Sequence, residues 1–205
     1  MGSHDRSVSW AATETEVDER RAEADHLVGL ELASVRYFDL DYRRSDLAPT
    51  AVGARLIENP VEWIEPSWRS DDCDTLDYGV ELTTTNDRTF AITWDPPGKL
   101  EGLNISESPL TGSAIHPDAE VAVWSVGGTS GWEPLVGRRV SAVELHYLPW
   151  ADDGFWCPRI TLSFNAHSVV FLLGQGSPDG PIQPSANNVA VLFDPTALPG
   201  WNQTT

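Results

Sequence analysis

The sequence predicts an all-β, internally duplicated fold: two antiparallel sheets of about four strands each, packed as a sandwich or barrel with pseudo-two-fold symmetry. Three observations predict it. From residue 26 onward apolar residues recur at a period close to two, the pattern of half-buried strands. Blocks of the pattern occur twice in the same order. Each copy has one apolar sheet face, and such a face is stable only when another covers it.

The chain begins with a marginal helix or a disordered lead-in over residues 1–25. TETEVDERRAEAD, residues 13–25, has the Thr13/Glu16 capping box and a Glu16–Arg20 pair one turn apart. Its only apolar residues are Val17, Ala22 and Ala24, too few for a broad packing stripe.

The first β unit spans residues 26–125. Leu27-Val28-Gly29 leads into Leu32 and then Val35 and Tyr37, which alternate with Arg36 and Phe38. Val80, Leu82 and Thr84 run into the turn Asn86-Asp87-Arg88, and Phe90, Ile92 and Trp94 return from it as a hairpin. Val121-Ala122-Val123 is the last strand of the unit. Two insertions, 43–77 and 95–117, are rich in Pro and Asp and read as loops, with Val61-Glu62-Trp63 a short strand inside the first. Loops of this length in a small domain are often functional.

A Gly-rich linker, residues 126–133, joins this unit to the second, which with the C-terminal tail spans 134–205. There Leu135-Val136-Gly137, Val140 and Val143 answer the opening block 108 positions on. Ile160, Leu162 and Phe164, the turn Asn165–Ser168, then Val170 and Leu172 form a hairpin that aligns with the first at an offset of 80 without a gap. Val189-Ala190-Val191 answers Val121-Ala122-Val123. All of this is expected to form one compact body.

Composition narrows the function. The formal net charge is −18, which opposes binding to nucleic-acid phosphates or an anionic membrane. Residues 26–125 hold 18 acids against 7 bases, so most of the acidity lies in the first unit. There is no basic start with an apolar stretch behind it, and no apolar run near the ~18 residues of a membrane-spanning helix. A cytoplasmic protein is expected, with Cys73 and Cys157 as reduced thiols.

No Gly-x-Ser-x-Gly, His-Glu-x-x-His, phosphate-loop or dinucleotide-binding pattern occurs, no paired zinc-ligand spacing is present, and no cofactor is expected. Glu144 and His146 project from one strand face, where a carboxylate can orient an imidazole; the plainer reading is a solvated sheet face. Two acidic loops precede the two hairpins at similar distances: Asp71, Asp72 and Asp74 in one, Asp152 and Asp153 in the other. Both have ordinary turn chemistry and neither has calcium-loop spacing.

Nine tryptophans stand out. Trp94 and Trp124 fall in strand pattern and belong to the core. Trp63, Trp68, Trp132, Trp150 and Trp156 sit beside Pro, Gly and acids, as satellite cores or as recognition anchors. The candidate binding residues are therefore Trp63, Glu65, Trp68, Asp71, Asp72, Asp74, Trp132, Trp150, Asp152, Asp153 and Trp156.

Three functional readings follow. The first is a non-catalytic acidic module that binds a basic protein, with the charge and size of immunity-type neutralisers of basic toxins. The second is a tryptophan-rich carbohydrate-binding β-sandwich. The third is a hydrolase or isomerase using carboxylates such as Glu62, Glu65 or Glu144.

Overall fold

Two six-stranded sheets and one short N-terminal helix make up the fold. The computed structural model describes residues 11–41, 54–58, 68–69, 73–94, 102–111, 120–149, 154–177, 180–194, 196 and 198–199. The first sheet runs, edge to edge, β2 (Arg55–Ile57), β8 (Val121–Ser125), β1 (Leu32–Leu40), β5 (Gly79–Thr84), β6 (Thr89–Trp94) and β7 (Leu103–Ser106). All its pairings are antiparallel except β2 with β8.

The second sheet runs β3 (Trp68–Arg69), β4 (Cys73–Leu76), β14 (Gly180–Leu192), β13 (His167–Ser177), β12 (Arg159–Phe164) and β9 (Ala142–Leu145), antiparallel throughout. A small pair, β10 (Leu148–Pro149) with β11 (Phe155–Trp156), lies apart. Neither large sheet closes on itself, so the barrel alternative is excluded and each sheet has six strands rather than four.

The two hairpins form as their turn residues dictate. Thr83 pairs with Thr89, and Asp87 takes the left-handed conformation at φ 62°. Phe164 pairs with His167 across Asn165, at φ 57°. Asp and Asn adopt this region more readily than other side-chain-bearing residues.

The insertions are not merely loops. Segment 43–77 supplies β2 to the first sheet and β3 and β4 to the second, and segment 95–117 supplies β7. Backbone pairing decides these short strands, and CDTL and LNIS carry too little pattern to announce it. The strand expected at Val61–Trp63 lies outside the described residues.

The repeat matches the topology only in part. β1–β5–β6 and β9–β12–β13 are both three-stranded meanders in chain order. The last block departs: β8 lies beside the first strand of its meander, whereas β14 lies beside the third. The position equivalent to β14 is taken by β7, so Val121–Val123 and Val189–Val191 are not counterparts.

One apolar cluster fills the space between the sheets. Val35, Tyr37, Val80, Leu82, Phe90 and Ile92 from the first meet Leu76, Ile160, Leu162, Phe171, Val189 and Val191 from the second. Fully burying such side chains stabilises by about 1.5–3 kcal/mol each, before the cost of ordering the chain. Each sheet carries a second, smaller cluster: Phe38, Ala91, Leu110, Val121 and Val123 on one, Cys73, Val170, Leu172, Ala190 and Leu192 on the other. Val126, Trp132 and Leu135, from the Gly-rich stretch and just beyond it, are buried in the main core.

The N-terminal helix α1 (Glu14–Ala24) forms with the full Thr13/Glu16 capping box. It buries Val17 and Ala24 and runs beside β7 and β9.

Candidate functional site

Alternation along β1 builds the most polar part of the interior. Val35 and Tyr37 point between the sheets, and the same period of two carries the inward face on to Asp39 and Asp41. Both acids are buried, at 1% and 4% exposure. A carboxylate in such a place requires hydrogen bonds, a counter-charge or a proton.

Each is met differently. Asp41 receives a two-pronged contact from Arg55 of β2, Nη2 to Oδ1 at 2.6 Å and Nε to Oδ2 at 2.8 Å. Asp39 Oδ1 accepts from the backbone N–H of Leu40 at 3.0 Å and of Asp77 at 2.9 Å. Asp39 Oδ2 is buried with no hydrogen-bond partner. Burial, and then the neighbouring Asp77 carboxyl, push the Asp39 carboxyl well above the usual carboxylate range.

Asp77 lies where the chain leaves β4 in one sheet and enters β5 in the other. Its Oδ1 accepts from Asn188 Nδ2 of β14 at 2.6 Å, and Ser185 Oγ donates to Asn188 Oδ1 at 2.6 Å. β6 clamps the crossing backbone: Trp94 Nε1 donates to the Asp77 carbonyl and Thr93 Oγ1 to the Tyr78 carbonyl, both at 2.5 Å. The Tyr78 and Trp94 rings stack at 6.5 Å. Burial, then Asp77 and Asp39, raise the Tyr78 phenol.

Next to this cluster, Tyr37 Oη donates to Asp74 Oδ2 at 2.8 Å and accepts from the Trp132 indole. Burial, then Asp74, hold the Tyr37 proton in place well above the usual phenol range. Asp74 and Trp132, expected at a binding surface, are 3% and 0% exposed and belong to this internal network. Trp132 also packs on Phe171 and Phe193.

Of the remaining predicted residues, Trp156 is partly buried against the main core, in the β10–β11 pair. Trp68 lies in edge strand β3. Trp63, Glu65, Asp71, Asp72, Trp150, Asp152 and Asp153 lie outside the described residues. Trp124 is buried as expected, and Trp94 packs partly buried against the core.

Glu144 and His146 do meet, Oε2 to Nε2 at 3.5 Å. His146 Nε2 also lies 3.0 Å from Thr161 Oγ1, and Arg159 Nη2 lies 2.9 Å from Nδ1. A guanidinium only donates, so Nδ1 accepts and the imidazole proton sits on Nε2. This tautomer cannot take a proton from the Thr161 hydroxyl at Nε2, so the cluster is not arranged as a nucleophile–base pair. Burial, then Arg159, lower the His146 pKa, against the pull of Glu144.

Among the described residues no group of three or more His, Cys, Asp or Glu side chains is placed to hold a metal ion. Cys73 and Cys157 are buried in different apolar clusters and form no disulfide with each other. No described helix is long and apolar enough to cross a membrane.

The surface is strongly one-signed. Among the described residues twelve acids are exposed against four arginines. One of those four, Arg36, is held on the buried Glu81. Arg88, less exposed, grips Glu107 through two contacts at 2.6 and 2.7 Å. The outer side of α1 alone presents Glu14, Asp18, Glu19 and Glu23, with Asp25 beyond its end.

Comparison with known protein families, with curated proteins and with solved structures finds no match for this chain.

Proposed function

We propose that this protein is a non-catalytic acidic module that binds a basic protein partner, as an immunity-type neutraliser does. The observation that carries the reading is the division of charge. Arg36, Arg55 and Arg88 are engaged with acids of the same chain, while the exposed carboxylates of α1 and of the connecting turns face outward. Such a field speeds encounter with a cationic surface and disfavours anionic ones. A cytoplasmic setting is part of the proposal.

The test uses the intact chain and its native host. Purification at low ionic strength is expected to retain an identified basic protein that high salt releases. Titration of that purified protein against a Glu14→Lys, Asp18→Lys, Glu19→Lys, Glu23→Lys variant is expected to weaken binding at least tenfold. Recovery of the chain alone at low salt, or equal affinity of the variant, overturns the reading.

The duplication is retained as a proposal for the two meanders only. Their matching strand order supports it. Related sequences in which residues 26–94 and 134–172 align no better than they do here would count against it.

A further inference from the structure

The two acids at the crossing of the sheets are placed as a pair. Asp39 comes from β1 of the first sheet. Asp77 sits at the end of β4 of the second and is tied to β14 through Asn188 at 2.6 Å. The Asp77 N–H reaches Asp39 Oδ1 at 2.9 Å, so the two residues are in direct contact. Asp39 Oδ2 is left buried without a hydrogen-bond partner, in a residue 1% exposed.

We propose that Asp39 is held protonated against Asp77, forming a clasp between the two residues that fastens one sheet to the other and loosens when Asp39 loses its proton to solvent. A protonated Asp39 Oδ2 is a donor, and the neighbouring carboxylate is the natural acceptor. An ionised Asp39 would place two like charges together in a low-dielectric interior, the arrangement that makes paired carboxyls retain a proton.

The groups around the pair reinforce this. Asp41 lies two residues on along β1 and has Arg55 bound to it through both carboxylate oxygens. Asp74, on the β4 side, holds the Tyr37 hydroxyl. Tyr78 is a phenol and Asn188 is neutral. Burial first and Asp77 second favour the protonated Asp39 carboxyl.

The pH dependence has a definite sign. A carboxyl whose proton is held more tightly in the folded state binds it where the unfolded chain has released it. Its contribution to stability is therefore complete below the unfolded value of about 4. It falls as pH rises toward the folded value, by about tenfold in the folding equilibrium constant per pH unit. The clasp is therefore firmest in acid and weakens as pH rises through the folded Asp39 midpoint.

The test is a side-chain carboxyl carbon NMR titration of the intact, aspartate-labelled protein, with Asp77→Asn beside it. Asp39 is expected to keep the shift of a neutral acid well above the ordinary carboxylate midpoint of about 4, and to titrate at lower pH once Asp77→Asn removes the like charge. Asp39→Asn mimics the protonated acid and is expected to fold, and to lose the decline in stability between about pH 4 and the Asp39 midpoint. An Asp39 carboxyl that ionises near its ordinary value in the folded protein overturns the proposal, whether or not the Asp39→Asn variant folds.

Discussion

Tyr37 donates its phenolic proton to Asp74 Oδ2 at 2.8 Å, and this bond runs from a strand of one sheet to a strand of the other. Tyr37 Oη in turn accepts from the indole N–H of Trp132, in the turn-rich segment that follows the last strand of the first sheet. Both sheets and that turn thus converge on one buried hydroxyl. Hydrophobic contact between sheets is tolerant of sliding. A directional bond in the middle of it fixes one relative position.

Replacing Tyr37 by Phe keeps the ring and removes that oxygen. A hydrogen bond to a charged group is worth about 1.5–3 kcal/mol, and its loss also strands the Trp132 N–H. Urea unfolding is expected to show a loss of about 2–4 kcal/mol with little change in slope. A loss below about 0.5 kcal/mol would mean that apolar packing alone sets the register of the sheets. In the parent protein the Tyr37 phenol is expected to resist ionisation on alkaline titration until the fold opens.

Gly79 starts β5 just past the crossing, with φ at +152°. A Cβ built there would lie 2.3 Å from the backbone carbonyl oxygen of Ile92, which cannot swing away without breaking the β5–β6 pairing. Gly79→Ala is expected to cost about 3 kcal/mol or to prevent accumulation of folded protein. Gly128→Ala, where a Cβ meets nothing within 4 Å, is the control and is expected to leave the melting temperature nearly unchanged.

The β content and both hairpins were legible because alternation and Asx turns are local signals. Strands β3, β4 and β7 were not, since two to four residues cannot display a period and only partners distant in sequence make them strands. The internal acids were legible in principle. Val35, Tyr37, Asp39 and Asp41 share one parity, so a strand followed past its apolar stretch delivers two carboxyls to the interior. A tryptophan's local context is a weaker guide, as Trp132 shows: its Gly- and Pro-flanked context resembles a surface loop, yet the side chain fills the core. Asp77 and Asn188 carry no local signature, and only the crossing between sheets brings them together.

Arg55 and Asp41 form a nearly buried pair, with the side chains 18% and 0% exposed. Removing one partner of such a pair costs more than removing both, because the survivor loses its compensation in a dry site. Arg55→Met is expected to destabilise by about 3 kcal/mol, and Arg55→Met with Asp41→Asn to recover part of the loss. Equal stability of the single and double variants would show that the pair is not coupled.

His146 is one group whose titration makes stability fall on the acid side. Its Nδ1 accepts from Arg159, and a neutral ring is the only form that can do so. Burial, then Arg159, place its folded pKa below the ordinary value, so the folded protein holds fewer protons than the unfolded chain just below pH 6.5. The stability contributed by the neutral ring is therefore complete above about pH 6.5 and is lost as pH falls toward the folded value. Imidazole NMR is expected to show a His146 midpoint below the ordinary histidine value of about 6.5. Arg159→Met is expected to raise the His146 midpoint by removing the cation at Nδ1, and Glu144→Gln to lower it further by removing the nearby anion. A midpoint in the parent protein at or above about 6.5, or one unmoved by Arg159→Met, would show that the ring is not held neutral by the guanidinium.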